Sequence, residues 1–126
     1  MPDTEETLSG VLAALRPLRV PATPGEYDLH RMIGEALARA GIACEHEVPL
    51  APRCRIDFLA GDVGIEVKRG AAPARALRAQ AEKYLKSDRL RALVLVATRG
   101  VRMPGRVAGK RVVVFGLNRL WGVALP

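Results

Sequence analysis

The sequence predicts an α/β domain in which a central mixed sheet is flanked by helices. Three observations predict it. Leu29, Met32, Ile33, Ala36, Leu37 and Ala40 recur with the 3.6-residue period of a helix that buries one face. Ile56, Phe58 and Leu59, then Ile65 and Val67 alternating with Glu66 and Lys68, read as two short strands around the turn residues Gly61-Asp62-Val63-Gly64. Arg91 to Thr98 is an apolar run of strand length, the pattern of a strand buried on both faces. It follows a helical stretch at 70–88, which implies a crossover to a parallel neighbour.

The remaining elements take their places around these. Residues 1–24 read as an N-terminal tail or linker: an acidic start, a short helical stretch from Leu8 to Leu15, then Pro17, Pro21 and Pro24, a segment free to pack on the core or to swap between subunits. A single domain is expected over 25–126. Its first helix covers 25–40 and stops at Gly41. A first strand is expected over 42–50, bounded by Pro49 and Pro52. The second helix, 70–88, presents Ala74, Leu77, Ala81, Tyr84 and Leu85 on its apolar face. Residues 99–111 hold five Lys/Arg among three glycines and Pro104, and read as a mobile basic loop. Val112 to Phe115 gives a last strand. The segment 118–126, with Leu120, Trp121 and Leu125, is left to cover a core edge or a dimer surface.

Composition narrows the class. A chain of 126 residues with 49% hydrophobic content can bury a core, built here on Leu, Val, Ile and Ala because aromatics are only 4%. Net charge is +7 and unevenly spread: residues 1–50 carry 4 Lys/Arg against 8 Asp/Glu, a charge of −4, whereas residues 51–126 carry 16 against 5, a charge of +11. That polarity fits a polyanionic partner, and also a coding bias towards arginine. Cys44 and Cys54 are too few for a disulfide framework, and no C-x-x-C suggests zinc. The acidic start has no apolar leader and no run approaches the ~18 apolar residues of a membrane span, so the expected location is cytoplasmic.

The hairpin carries the chemistry. In a strand, residues i and i+2 share a face, so Glu66 and Lys68 project together, and a hairpin brings Asp57 opposite Glu66. Two carboxylates held close raise each other's pKa unless a cation relieves them. Mg²⁺ takes one or two protein carboxylates and binds phosphate oxygens. A lysine beside them can orient an attacking water or stabilise charge developing on phosphate. The alternative is an ordinary amphipathic hairpin with a solvated Glu66-Val67-Lys68 face.

Ile56-Asp57-Phe58, a short turn, and Ile65-Glu66-Val67-Lys68 resemble the core motif of the PD-(D/E)XK nucleases, the restriction-endonuclease-like superfamily. The residue before Asp57 is isoleucine rather than proline. Gln80-Ala81-Glu82-Lys83-Tyr84 is similar to the Q-x-x-x-Y motif of the RecB-like members, on the helix after the catalytic strand. The resemblance covers about residues 25–116 and implies an α-β-β-β-α-β core. It implies a metal-dependent nuclease, acting on DNA with RNA not excluded, that uses Mg²⁺ or Mn²⁺. Asp57, Glu66 and the Val67 carbonyl would be metal ligands, Lys68 would position water, and Gln80 and Tyr84 would support the site or the substrate. Glu26, on the first helix, would complete the metal shell, or is simply a first-turn acid suited to the helix dipole. His30, one turn on, would touch substrate or is a partly exposed helical residue. Arg69, Arg75, Arg78, Arg99, Arg102 and Arg106 are the candidate phosphate contacts. A homodimer and a targeting partner fit so small a nuclease. The rival reading is a nucleic-acid-binding or accessory module with the same fold and no turnover.

Overall fold

The computed structural model describes residues 2–19 and 25–117, with the side chains of Glu26 and Tyr27 excepted. The linker residues 20–24 and the C-terminal segment 118–126 lie outside the described residues. In chain order the elements are α1 (Thr4–Leu15), α2 (Glu26–Arg39), β1 (Glu45–Ala51), β2 (Cys54–Ala60), β3 (Val63–Lys68), α3 (Ala74–Leu85), β4 (Ala92–Ala97), β5 (Arg106–Val107) and β6 (Lys110–Gly116). The described residues thus form three helices and one six-stranded sheet of order β1-β2-β3-β4-β6-β5. The sheet is mixed. β1, β2 and β3 run antiparallel in turn, β3, β4 and β6 are parallel, and β5 returns antiparallel to β6.

The segment read as a tail carries α1, and α1 belongs to the core. Asp3 caps it, its Oδ1 accepting the Glu6 N–H at 2.8 Å. Leu8, Val11 and Leu15 are buried, four or three residues apart on one helical face. They join Leu29, Ile33, Ala36 and Leu37 of α2 over the face of the sheet that presents Phe58, Ala60, Val63, Ile65, Val94 and Val96. The opposite face presents Cys54, Ile56, Leu59, Leu93 and Leu95 to Ala81, Tyr84 and Leu85 of α3. β4 is buried along its whole length between these two layers, as its unbroken apolar run implies.

Helix ends follow local chemistry. Gly41 has φ +75 and closes α2: Ile42 N–H reaches the Leu37 carbonyl and Gly41 N–H the Ala38 carbonyl. The hairpin turn is shorter than the sequence suggests. Ala60 pairs with Val63, leaving only Gly61 and Asp62 in the turn, with Gly61 at φ +60. Val63 and Gly64 are strand residues because they also pair with Ala92 and Leu93 of β4.

The expected mobile loop at 99–111 is corrected in its second half. Arg106–Val107 pairs with the start of β6 across Ala108 and Gly109, both at positive φ. Lys110 is not a loop cation. Its Nζ donates to the carbonyls of Leu85, Ser87 and Leu90 at 2.8, 3.1 and 2.6 Å, fastening the end of α3 to β6.

Candidate active site

The β2–β3 ladder pairs Ala60 with Val63, Leu59 with Gly64 and Phe58 with Ile65. At the next position two carboxylates bridge the strands. Asp57 N–H donates to Glu66 Oε1 at 3.2 Å, and Val67 N–H donates to Asp57 Oδ2 at 2.8 Å. A change of face puts Asp57 there. Cys54 and Ile56 pack towards α3, whereas Phe58 and Ala60 pack towards α1 and α2. Regular alternation would keep all four on one face. β1 turns over at the same level: His46 stacks on Phe58 with ring centroids 4.5 Å apart, Val48 packs towards α3, and Glu47 between them has φ +54. Asp57 therefore reaches along the sheet to the β3 backbone.

Glu66 is 6% exposed. Burial, then the charge of Asp57, pushes its pKa up to about 7. Three neighbours oppose that rise: the Tyr84 hydroxyl, the Lys68 ammonium and the Asp57 N–H. Lys68 Nζ stands 3.6 Å from Glu66 Oε2. Tyr84 is buried on α3, and its own pKa is driven upward by burial and then by the Glu66 charge, so it is a donor to that carboxylate. Gln80 Nε2 donates to the Tyr84 hydroxyl oxygen at 2.9 Å. The spacing of four along α3 thus makes one chain of hydrogen bonds from Gln80 through Tyr84 to Glu66.

The segment after Lys68 is pinned. Thr98 N–H donates to the Lys68 carbonyl at 3.1 Å, and Gly70 N–H donates to Thr98 Oγ1 at 3.0 Å. Lys68 consequently sits at the C-terminal ends of the parallel strands β3 and β4, where α/β sheets hold ligands. Asp57 also faces α2: His30 Nε2 lies 3.8 Å from its Oδ2, with the His30 side chain only 15% exposed. His30 is thus a partly exposed residue of α2 that faces the Asp57 carboxylate. The Glu26 side chain lies outside the described residues.

The donor set is one of hard oxygens. Asp57 and Glu66 supply carboxylates. The Val67 carbonyl points to the same neighbouring strand as its N–H, towards Asp57, where the β2–β3 ladder has ended. Such a set suits Mg²⁺ or Mn²⁺, which need few protein ligands and retain water. Among the described residues no group of three or more His, Cys, Asp and Glu is gathered as a metal cluster. The chain matches no family model, no curated protein and no solved structure.

The basic residues divide among several places. A cleft of about 650 Å³ beside Glu66, Gln80 and Tyr84 is lined by Arg53, Arg55 and Lys83. The sequence signal for them was two arginines bracketing Cys54 just before Asp57, which periodicity does not weigh. Arg75, Arg78 and Arg102 line a separate cleft of about 660 Å³ on the other flank of α3. Arg99 borders a smaller one of about 230 Å³ at the ends of β4 and β6. Arg69 is exposed directly after Lys68. Arg106 lies on the outer strand β5, three strands from β3, and donates to the Gly109 carbonyl at 3.3 Å. It is not brought to the carboxylates.

Proposed function

We propose that the protein is a metal-dependent nuclease of the restriction-endonuclease-like type that hydrolyses phosphodiester bonds in DNA. The observation that carries the reading is the reciprocal bridging of Asp57 and Glu66 across β2 and β3 with Lys68 beside them. The order α2-β1-β2-β3-α3-β4 supports it, being the α-β-β-β-α-β order the resemblance implies.

Asp57, Glu66 and the Val67 carbonyl would hold Mg²⁺ or Mn²⁺. The bound ion would supply Lewis acidity and a water of lowered pKa. Lys68 orients the attacking water and offsets charge gathering on the phosphate. The Tyr84 hydroxyl holds Glu66 in one orientation and favours its ionised form, and Gln80 fixes the Tyr84 hydroxyl. His30 faces Asp57 from α2 and restrains that carboxylate. Thr98 anchors the backbone that carries Lys68.

Incubation with labelled linear duplex, single-stranded, branched and circular DNA, in Mg²⁺, Mn²⁺ or EDTA, tests this reading. Cutting is expected with either metal and none in EDTA, and the ranking of substrates separates end-directed from internal cleavage. Tight, salt-sensitive binding with no cutting of any substrate would favour instead a binding module of the same fold, for which the cation-lined clefts would suffice.

A further inference from the structure

Arg53 occupies a backbone position that disfavours it. The two-residue turn Pro52-Arg53 joins β1 to β2, with Ala51 paired to Cys54, and Arg53 has φ +59. Glycine or asparagine takes that conformation readily and a long side chain does not. Strained backbone of this kind is retained where the side chain is used. Among the described residues the Arg53 guanidinium has no hydrogen bond or ion pair. Its carbonyl alone is engaged, accepting from Lys83 Nζ at 3.3 Å.

The side chain stands on the cleft that also holds Glu66, Gln80 and Tyr84. Lys83 and Arg55 share that cleft, Arg55 pairing with Glu47 at 3.2 Å. Three cations therefore face a cleft whose described lining includes a single carboxylate, Glu66. Arg55 has Glu47 for a partner, whereas Arg53 and Lys83 pair with no carboxylate among the described residues. Cations so placed beside a candidate hydrolytic centre suit the phosphates of a chain, because each phosphate carries one negative charge at a regular spacing.

We propose that Arg53, assisted by Arg55 and Lys83, forms the subsite for the nucleic-acid phosphate next to the one hydrolysed. The strand then enters along the β1–β2 turn and α3, not along the basic segment 99–111. This rests on the nucleic-acid reading given above and assigns the substrate contact within it.

Fluorescence anisotropy with a fluorescein-labelled single-stranded DNA oligonucleotide in EDTA, read across a salt series, tests the subsite. The variants are Arg53→Gly, Arg53→Gln and Lys83→Gln. Arg91→Gln serves as a control of equal charge change at the start of β4, the opposite end of the sheet. Arg53→Gly is expected to keep a thermal midpoint near that of the wild type, since glycine suits the turn. It should bind several-fold more weakly and lower the slope of log K against log salt by about one. Arg53→Gln and Lys83→Gln should lose binding alike, and Arg91→Gln should not. Wild-type affinity and slope in Arg53→Gly and Lys83→Gln, or an equal loss in Arg91→Gln, would overturn the subsite. Metal-dependent cutting by the wild-type protein is scored separately. Cutting without dependence on Arg53 overturns the subsite and leaves the nuclease, and Arg53-dependent binding without cutting does the reverse.

Discussion

The Tyr84 hydroxyl donates to the Glu66 carboxylate, tying the C-terminal end of α3 to the β3 strand at the candidate metal site. This bond lowers the pKa of a carboxylate that burial and Asp57 raise. Tyr84→Phe should therefore move the Glu66 pKa further up, and the acidic limb of the pH–rate profile should shift to higher pH. Activity lost at pH 7 should recover in part at pH 9. A uniform loss at every pH would show that Tyr84 acts in some other way.

The same raised pKa makes the metal-free protein sensitive to alkali. Glu66 binds its proton more tightly folded, at about 7, than at the ordinary 4.5. Its contribution to stability is fully present below 4.5 and is lost as pH rises through 7. The amount at stake is about 3 kcal/mol. Thermal midpoints in EDTA should fall between pH 5 and pH 8, and Glu66→Gln should remove most of that fall. An equal fall in Glu66→Gln would place its origin elsewhere.

Lys110 is a structural clamp. Removing its ammonium leaves three partly buried carbonyls, those of Leu85, Ser87 and Leu90, without their donor. Lys110→Met should cost about 2–3 kcal/mol in denaturant unfolding. The salt slope of any DNA binding should stay at the wild-type value, because three carbonyls already engage this ammonium within the fold.

α1 holds the core together from residues outside the expected domain. Leu15 is fully buried among α2 and sheet residues. Leu15→Ala should destabilise by about 2–5 kcal/mol, measured by urea unfolding. A loss under about 0.5 kcal/mol, the range of ordinary surface substitutions, would return this segment to the status of a tail.

Much of the sheet and α2 were legible because their signals are local. The Arg91–Thr98 run reads as a doubly buried strand, and β4 is buried at every position. That a hairpin brings Asp57 near Glu66 was legible, but the register that does so rests on a two-residue turn, Gly61-Asp62, and not on Gly61 to Gly64. What was not legible depends on tertiary context. Ile56 and Phe58 read as one apolar run, yet they pack on opposite sides of the sheet because β1 and β2 turn over at Glu47 and Asp57. No periodicity marks that turn. A helical stretch from Leu8 to Leu15 was legible, but its docking was not, because the prolines that follow say where a helix ends and not whether it docks. Lys110 read as one more loop cation because its partners are carbonyls 20, 23 and 25 residues away in sequence. The cations of the cleft are not legible for a similar reason: Arg53 and Lys83 are 30 residues apart and meet only in the fold.

The most direct measurement is DNA cleavage in Mg²⁺ or Mn²⁺ by the wild-type protein beside Lys68→Ala, with circular dichroism confirming that both are folded. Lys68 is only partly buried, 25% exposed, so its truncation should leave the fold intact. Cutting by the wild type is expected, and the proposed role of Lys68 requires a loss of about a hundredfold or more in the variant. Full activity in Lys68→Ala would contradict it.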